Sequence, residues 1–319
     1  MTLYRAVLQP KGPFRSLLQG DTWFGAFCWS YLRRRGRAAL EELLRQCREE
    51  GPRLVCSNAF PAGCLPLPLG VYDPGNDFER LSNKGERRAA YRRGKTLKNA
   101  KYVRTEAFFR LQAGDWRGFS GQLAGENTVT ASQMHNLVLR DREVVDRQDG
   151  AGNLFSAQLR FPDPRLPEEA RAFDLYLLTD LDREEVEATL ALAARLGIGG
   201  DKSAGCGEFA LTVLEQADPR LSHCAGADGF VALSNFIPAA GDPIQGRYRV
   251  LAKYGALDRE LAGEVPFKRP LLYLRCGSVF ADSAPRAWYG RCLSGVAATP
   301  APVITNACTI AVPMMLSPN

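Results

Sequence analysis

Apolar and polar residues alternate over residues 3–9 until Gly12 and Pro13 break the run, which predicts an opening β-strand. The spacing then becomes helical. Trp23, Phe24, Phe27, Cys28 and Tyr31 fall on one face behind Asp21, a candidate N-cap, and Arg33, Arg34, Arg35 and Gly36 end the helix. Residues 38–49 repeat the pattern with Leu40, Leu43 and Leu44, and Gly51-Pro52 stops it. Residues 56–72, rich in proline and glycine, predict an irregular crossing with short strands, and 106–111 form a short apolar piece. Two alternating runs, 138–147 and 154–161, flank Asp149-Gly150-Ala151-Gly152 and predict a hairpin.

Residues 173–179 give another strand. Asp182 then stands as N-cap with Glu185 three positions on, a carboxylate capping box, and Val186, Leu190, Ala193 and Leu196 carry the helical period to Gly197. Phe209, Leu211 and Val213 alternate with Glu208, Ala210 and Thr212, as in a strand with one buried face. Further strand patterns lie at 230–235, 247–254, 271–276 and 309–312, with Gly277-Ser278 turning the chain into Val279-Phe280. A strand-helix unit at the start, a strand-helix-strand unit later and hairpin strands between them suit an α+β class. The expected division is an enlarged ferredoxin-like domain over 1–215 and a smaller sheet-based domain over 216–319, with Asp218-Pro219 at the boundary.

With 319 residues, 45% hydrophobic and 24% charged, the chain has the composition of an ordinary soluble protein with ample core. It carries no signal-like segment and no apolar run of membrane-spanning length, so a cytoplasmic location is expected. Nine cysteines without a Cys-x-x-Cys pair, and only His135 and His223, argue against a disulfide framework, a zinc site or any other cofactor.

The charge distribution is more telling than the net +6. Between Arg80 and Arg104 ten basic residues face one acid, Glu86, so this segment carries +9 and the rest of the chain −3. Arg87, Arg88, Arg92, Arg93, Lys95 and Lys98 lie within it, with Tyr91 and Tyr102 available to stack on bases, as a surface that meets a polyanion requires. Residues 86–93 have the spacing for a short helix with Arg88, Arg92 and Lys95 on one side, but Gly85 and Gly94 bound it and point to a mobile insertion.

The second singular stretch is Gly197-Ile198-Gly199-Gly200-Asp201-Lys202-Ser203-Ala204-Gly205-Cys206-Gly207. It joins a helix to a strand, the reverse of the order in phosphate-binding loops, where a helix N-terminus receives the anion. Spacing excludes those motifs too. A Walker A loop ending in Lys202-Ser203 needs glycine at the positions of Leu196 and Asp201, and Gly-x-Gly-x-x-Gly from Gly197 needs one at Lys202. Glycines at positive φ can instead turn several backbone N–H groups toward one anion, or let a backbone or nucleobase approach closely.

Several stretches, in order, carry a family resemblance: Gly20-Asp21-Thr22-Trp23-Phe24-Gly25-Ala26; Ser57-Asn58-Ala59-Phe60-Pro61 with Leu65-Pro66-Leu67-Pro68; His135-Asn136; Leu154-Phe155-Ser156; the glycine-rich loop; Leu233-Ser234-Asn235-Phe236-Ile237-Pro238; and Cys276-Gly277-Ser278-Val279-Phe280. The chain resembles the RAMP superfamily of CRISPR proteins, and within it the family of the fourth Csm subunit of type III-A effector complexes. That resemblance implies two ferredoxin-like (RRM-like) domains and no catalytic activity. It also implies a position capping the complex, where the subunit holds the repeat-derived 5′ tag of the guide RNA beside a backbone RAMP subunit and the large Palm-domain subunit. The RNA-facing role would fall on Gly197, Gly199, Gly200, Lys202, Ser203, Gly205 and Gly207, on the basic segment, and on His135 and Asn136. The His-x-Gly that many RAMP relatives carry before the first helix is absent, its place being taken by Arg15-Ser16-Leu17-Leu18.

The competing class is a metal-independent endoribonuclease that processes CRISPR precursor RNA. It needs a general base for a ribose 2′-OH and an acid for the leaving oxygen, and His135 is the candidate. A generic RNA-recognition module is disfavoured, because no stretch matches the aromatic RNP signature.

Overall fold

The computed structural model describes residues 1–15, 18–70, 83–116, 119, 127–130, 135–145, 152–258, 261, 267–297 and 303–316. In chain order, β1 (Thr2–Pro10) leads to α1 (Gly20–Arg35), α2 (Arg37–Glu49), β2 (Leu54–Cys56), β3 (Phe60–Pro61), β4 (Cys64–Pro66), α3 (Lys84–Asn99), β5 (Tyr102–Arg104), α4 (Thr105–Gln112) and β6 (Thr128–Val129). Then come β7 (His135–Val145), β8 (Gly152–Pro162), β9 (Phe173–Thr179), α5 (Arg183–Leu196) and β10 (Phe209–Gln216). The C-terminal part contributes β11 (Gly229–Ala232), β12 (Gly246–Arg247), β13 (Val250–Lys253), β14 (Leu271–Leu274), β15 (Val279–Ala281), β16 (Trp288–Leu293) and β17 (Thr305–Met314).

Two antiparallel sheets organise the chain. The first runs β10, β1, β9, β2, with β3 also on β9, and the second runs β12, β15, β11, β17, β16. No sheet among the described residues mixes strands from before and after residue 216. Their cores are nevertheless shared. On one face of the first sheet Tyr4, Ala6, Leu8, Leu175 and Leu177 meet Trp23, Phe24 and Phe27 of α1 and Val186, Leu190 and Ala193 of α5. On the other face Leu3, Tyr176 and Leu178 meet Val231, Leu233, Ile310 and Val312 of the second sheet. β9 is therefore buried along its whole length, which is why Phe-Asp-Leu-Tyr-Leu-Leu-Thr reads as a nearly unbroken apolar run. Among the described residues no α-helix follows Leu196, so the second sheet is covered by the first rather than by helices of its own.

Local chemistry explains where the elements begin. Asp182 caps α5, its carboxylate accepting from Glu184 N at 2.9 Å and Glu185 N at 3.3 Å. The capping box does not close. Glu185 turns instead to α1, taking Arg34 Nε at 3.3 Å and Arg35 Nε at 2.7 Å, with Thr189 Oγ1 donating at 2.8 Å. Asp21 likewise caps nothing: the residue ahead of α1 is Gln19, and the Asp21 carboxylate takes Lys253 Nζ at 2.6 and 2.7 Å, tying α1 to β13. Gly20 opens α1 because a Cβ there would lie 2.2 Å from Cys56 O, and its N–H donates to Asn58 Oδ1 at 3.0 Å.

Burial opposes the Glu185 carboxylate, but the hydrogen bonds from Arg34, Thr189 and Arg35 outweigh it and hold its pKa below the ordinary carboxyl value. A depressed folded-state pKa contributes stability above the unfolded value, and that contribution is lost as pH falls through the folded one. The wild-type chain should thus lose more thermal stability than Glu185→Gln between about pH 5 and about pH 3. Parallel losses in melts followed by circular dichroism would contradict this linkage.

Other elements depart from the local pattern. β10 does not keep its alternation: Phe209 and Leu214 are buried while Val213 is exposed. The register against β1 slips between Val7 and Leu8, leaving Thr212 as the extra residue of a β-bulge that reverses the phase from Val213 onward. The run at 247–254 is split into β12 and β13, which pair in different sheets. β7 and β8 pair in register from His135 opposite Pro162 to Val145 opposite Gly152, starting earlier than the hydrophobic pattern suggests. The Asp149-Gly150 turn lies outside the described residues.

Candidate nucleic-acid interface

The glycine-rich loop is built by left-handed backbone. Gly197, Gly199, Gly205 and Gly207 have φ of 94°, 88°, 76° and 82°, and Asp201 joins them at 61°. Gly197 ends α5, its N–H reaching Ala194 O at 3.3 Å. Ile198 is fully buried and anchors the loop, closing it against Gly207 through an Ile198 N to Gly207 O bond of 2.8 Å. Gly207 N then donates to Pro13 O at 2.8 Å, Ala204 N and Cys206 N to Asp201 O at 2.9 and 3.2 Å, and Gly205 N to Lys202 O at 3.0 Å.

These bonds change the picture drawn from the glycines alone. The N–H groups of Ile198, Ala204, Gly205, Cys206 and Gly207 are directed into the loop and its neighbour segment rather than gathered on an outer anion. The exposed part is the apex, Lys202, Ser203, Ala204 and Gly205. Its charges are tied down as well. Asp201 accepts from Arg15 Nη1 at 3.0 and 3.1 Å, and Lys202 Nζ lies 2.7 Å from Asp258 Oδ2, so one ion pair holds the loop to the segment after β1 and another to the C-terminal part. Arg15 and Asp258 are not legible in the sequence as neighbours, since each is remote from the loop it touches.

The segment 13–15 gathers a second feature. Phe14 bridges Arg160 in both directions, Phe14 N to Arg160 O and Arg160 N to Phe14 O at 2.9 Å each, and Arg160 Nη1 donates to Arg15 O at 2.8 Å. The base of the β7–β8 ribbon, where His135 and Asn136 stand opposite Pro162 and Phe161, is thereby brought beside the glycine-rich loop. The side chains of His135 and Asn136 lie outside the described residues.

The basic segment forms a longer helix than its glycines suggest. Asn83 takes the N-cap, its Oδ1 accepting from Gly85 N at 2.8 Å and its carbonyl from Arg87 N at 3.0 Å. The Asn83-x-x-Glu86 spacing is a cap signature that marks this start in the sequence. Gly94 does not stop α3, because it and Leu97 are buried, with Leu97 in the second core cluster, where a small residue lets the helix lie close. Arg88, Tyr91, Arg92 and Lys95 repeat at helical spacing on the opposite, exposed side, and Lys84, Arg87, Arg88, Tyr91 and Arg92 line one shallow surface hollow. Arg93 and Lys98 stand on the same helix, with side chains outside the described residues. Arg80 precedes it and is likewise outside them.

No group of three or more His, Cys, Asp or Glu among the described residues could hold a metal ion, and no described helix is long and apolar enough to cross a membrane. No family model matches the chain. It is 29% identical over 260 residues to the "CRISPR system Cms protein Csm4" of Thermococcus onnurineus (strain NA1), an alignment that covers 78% of each chain. The chain is a Csm4 homologue.

Its fold agrees with that relationship. A chain of the Csm1–Csm4 cassette solved with cA4 superposes with a TM-score of 0.61 at 21% identity, covering 99% of this chain and 100% of that one. A chain of the Csm3–Csm4 subcomplex of the type III-A CRISPR-Cas interference complex gives 0.59 at 15% identity, covering 98% and 99%. Within this Csm4 homologue several motifs that carried the resemblance are structural. Ser57 Oγ accepts from Tyr176 N at 2.8 Å, Asn58 fixes the start of α1, and Asn235 Oδ1 accepts from Cys276 N at 2.9 Å.

Proposed function

We propose that this chain is a non-catalytic RNA-binding subunit of a type III CRISPR effector complex. It holds the repeat-derived 5′ tag of the guide RNA and stands between a backbone RAMP subunit and the large Palm-domain subunit, in the cytoplasm. The observation that carries this reading is the alignment with a Csm4 protein over 78% of both chains. The first sheet, with α1 and α5 on one face and the strand order β10, β1, β9, β2, serves as its ferredoxin-like unit.

The charge on α3 supports an RNA partner: exposed arginines and lysines at helical spacing, with Tyr91 among them, suit phosphates and an unstacked base. The glycine-rich loop contributes by shape. Its exposed apex is held rigid by its own hydrogen bonds and by the Arg15–Asp201 and Lys202–Asp258 pairs, so a nucleotide meets a preformed surface with one cation, Lys202, that can exchange Asp258 for a phosphate.

Fluorescence anisotropy with RNA carrying the host's repeat-derived 5′ tag tests this. The tagged RNA should bind at least about tenfold more tightly than the same RNA with a scrambled tag, and should remain uncut. Equal affinity would remove the tag-binding role, and cleavage within the repeat would replace it with the endoribonuclease.

A further inference from the structure

Arg160 carries a cation that the fold leaves without a counter-ion. Its backbone is fixed on both sides, exchanging two bonds of 2.9 Å with Phe14 and standing opposite Leu137 in the β7–β8 ribbon. The guanidinium is half-buried, yet its hydrogen bonding among the described residues is confined to Nη1 donating to Arg15 O at 2.8 Å. An arginine fork presents five N–H donors and stays charged, so most of them face no described acceptor. Burial pulls the Arg160 pKa below the ordinary guanidinium value, as expected for a cation that has given up water without gaining a carboxylate.

Tyr102 of β5 lies close enough to Arg160 for each to act on the other electrostatically. The sequence offers this ring for stacking on a base, but the fold uses it otherwise. It is half-buried and stands edge-on to Phe60, with ring centroids 6.2 Å apart. What remains for a ligand is the hydroxyl. Burial pushes its pKa up to about 12, so near neutral pH it keeps its proton and can donate. No described Asp or Glu shifts the pKa of either residue, which leaves one charged and one neutral donor without an acidic neighbour acting on them.

The pair sits at the seam between ribbon and glycine-rich loop. Gly207 N reaches Pro13 O, Phe14 holds Arg160, and Arg15 pairs with Asp201, so residues 13–15 tie Arg160 directly to the loop. A guanidinium already fixed by a carbonyl matches the paired non-bridging oxygens of a phosphodiester and loses little freedom on taking them. Continuity with the loop favours a nucleic-acid strand over an acidic protein.

We propose that Arg160 and Tyr102 together bind one backbone phosphate of the guide RNA at the base of the β7–β8 ribbon, Arg160 through its fork and Tyr102 through its hydroxyl. The proposal rests on the reading of the chain as an RNA-binding subunit. It adds a contact that charge clustering does not mark, since Arg160 lies outside the basic segment.

The test is anisotropy of the full chain with the tagged RNA over a series of salt concentrations, beside thermal melts. Arg160→Gln should weaken binding about tenfold and flatten the slope of log K against log salt by about 0.7, the counterion release of one phosphate. Arg160→Lys should keep the slope while losing part of the affinity, because it retains the charge without the fork. Tyr102→Phe keeps the ring against Phe60, and with it the fold, and should weaken binding about fivefold with no change of slope. Wild-type affinity and slope in both Arg160→Gln and Tyr102→Phe would overturn the proposal and leave the RNA-binding reading standing. Inorganic phosphate competing as well as unlabelled RNA of equal phosphate content would make this a site for free phosphate and overturn it too. A wild-type chain without affinity for the RNA would overturn the RNA-binding reading, and this inference with it.

Discussion

Replacing Arg87, Arg88 and Arg92 with alanine is expected to flatten the salt dependence of guide-RNA binding by about two in the slope of log K against log salt. Each cation that neutralises a phosphate of a single strand releases close to 0.7 of a condensed counterion, so three lost contacts remove roughly that much. If about six phosphates are engaged in the wild type, its slope lies near −4. Extrapolated to about 0.15 M salt, the triple variant binds on the order of fifty-fold more weakly. The three side chains lie on exposed positions of α3, away from Leu97 and Gly94 that seat the helix, so the variant keeps its fold and the loss is electrostatic. Anisotropy titrations at four or five salt concentrations give the slope directly. An unchanged slope would assign α3 to a protein partner instead.

Gly207→Ala is expected to produce a large loss of stability from a single methyl group. Its φ of 82° is costly for alanine, and the added Cβ would stand 2.3 Å from Ile198 O and 2.8 Å from Ile198 N. Those are backbone atoms of the fully buried anchor of the loop, so relief requires breaking the 2.8 Å Ile198 N to Gly207 O bond or lifting Ile198 from the core. Left-handed strain of about 1–2 kcal/mol and overpacking of about 1–3 kcal/mol together predict a loss of about 3 kcal/mol or more. Gly205→Ala is the internal control. It has a similar φ of 76° but no atom within 4 Å of the added Cβ, so only the strain of about 1–2 kcal/mol remains. Urea denaturation of the two variants side by side measures the difference, and equal midpoints would show that Gly207 is not a close-packing position.

What the sequence reveals and what it hides divide along the range of the interactions involved. α5 is legible from Asp182 to Gly197 because its cap, its apolar period and its terminating glycine are all local. β9 is legible as an apolar run, though only the second sheet explains why both its faces are buried. The phase of β10 is hidden because the bulge at Thr212 answers to its partner strand. Asp21 and Glu185 read as caps and prove to be long-range ion-pair partners of Lys253 and of Arg34 and Arg35, since a carboxylate near a helix start suits either use.

The candidate interface shows the same split. The number and spacing of the basic residues are plain in the sequence, but Gly94 suggests a break where α3 in fact packs closely, and the local signal of the cap at Asn83 is masked by the neighbouring Gly85. The density of glycines marks the loop as unusual. Those glycines serve internal closure, and the partners of its two charged residues, Arg15 and Asp258, come from segments that only the tertiary fold brings near.

The central claim is that this chain holds a guide RNA by its 5′ tag within a type III complex. Affinity purification of the tagged chain from its native host, with sequencing of the RNA and identification of the proteins that accompany it, tests this most directly. The predicted result is a uniform set of short RNAs sharing one repeat-derived 5′ end, recovered with a Palm-domain protein. Random RNA or none, with the chain recovered alone, would contradict the account.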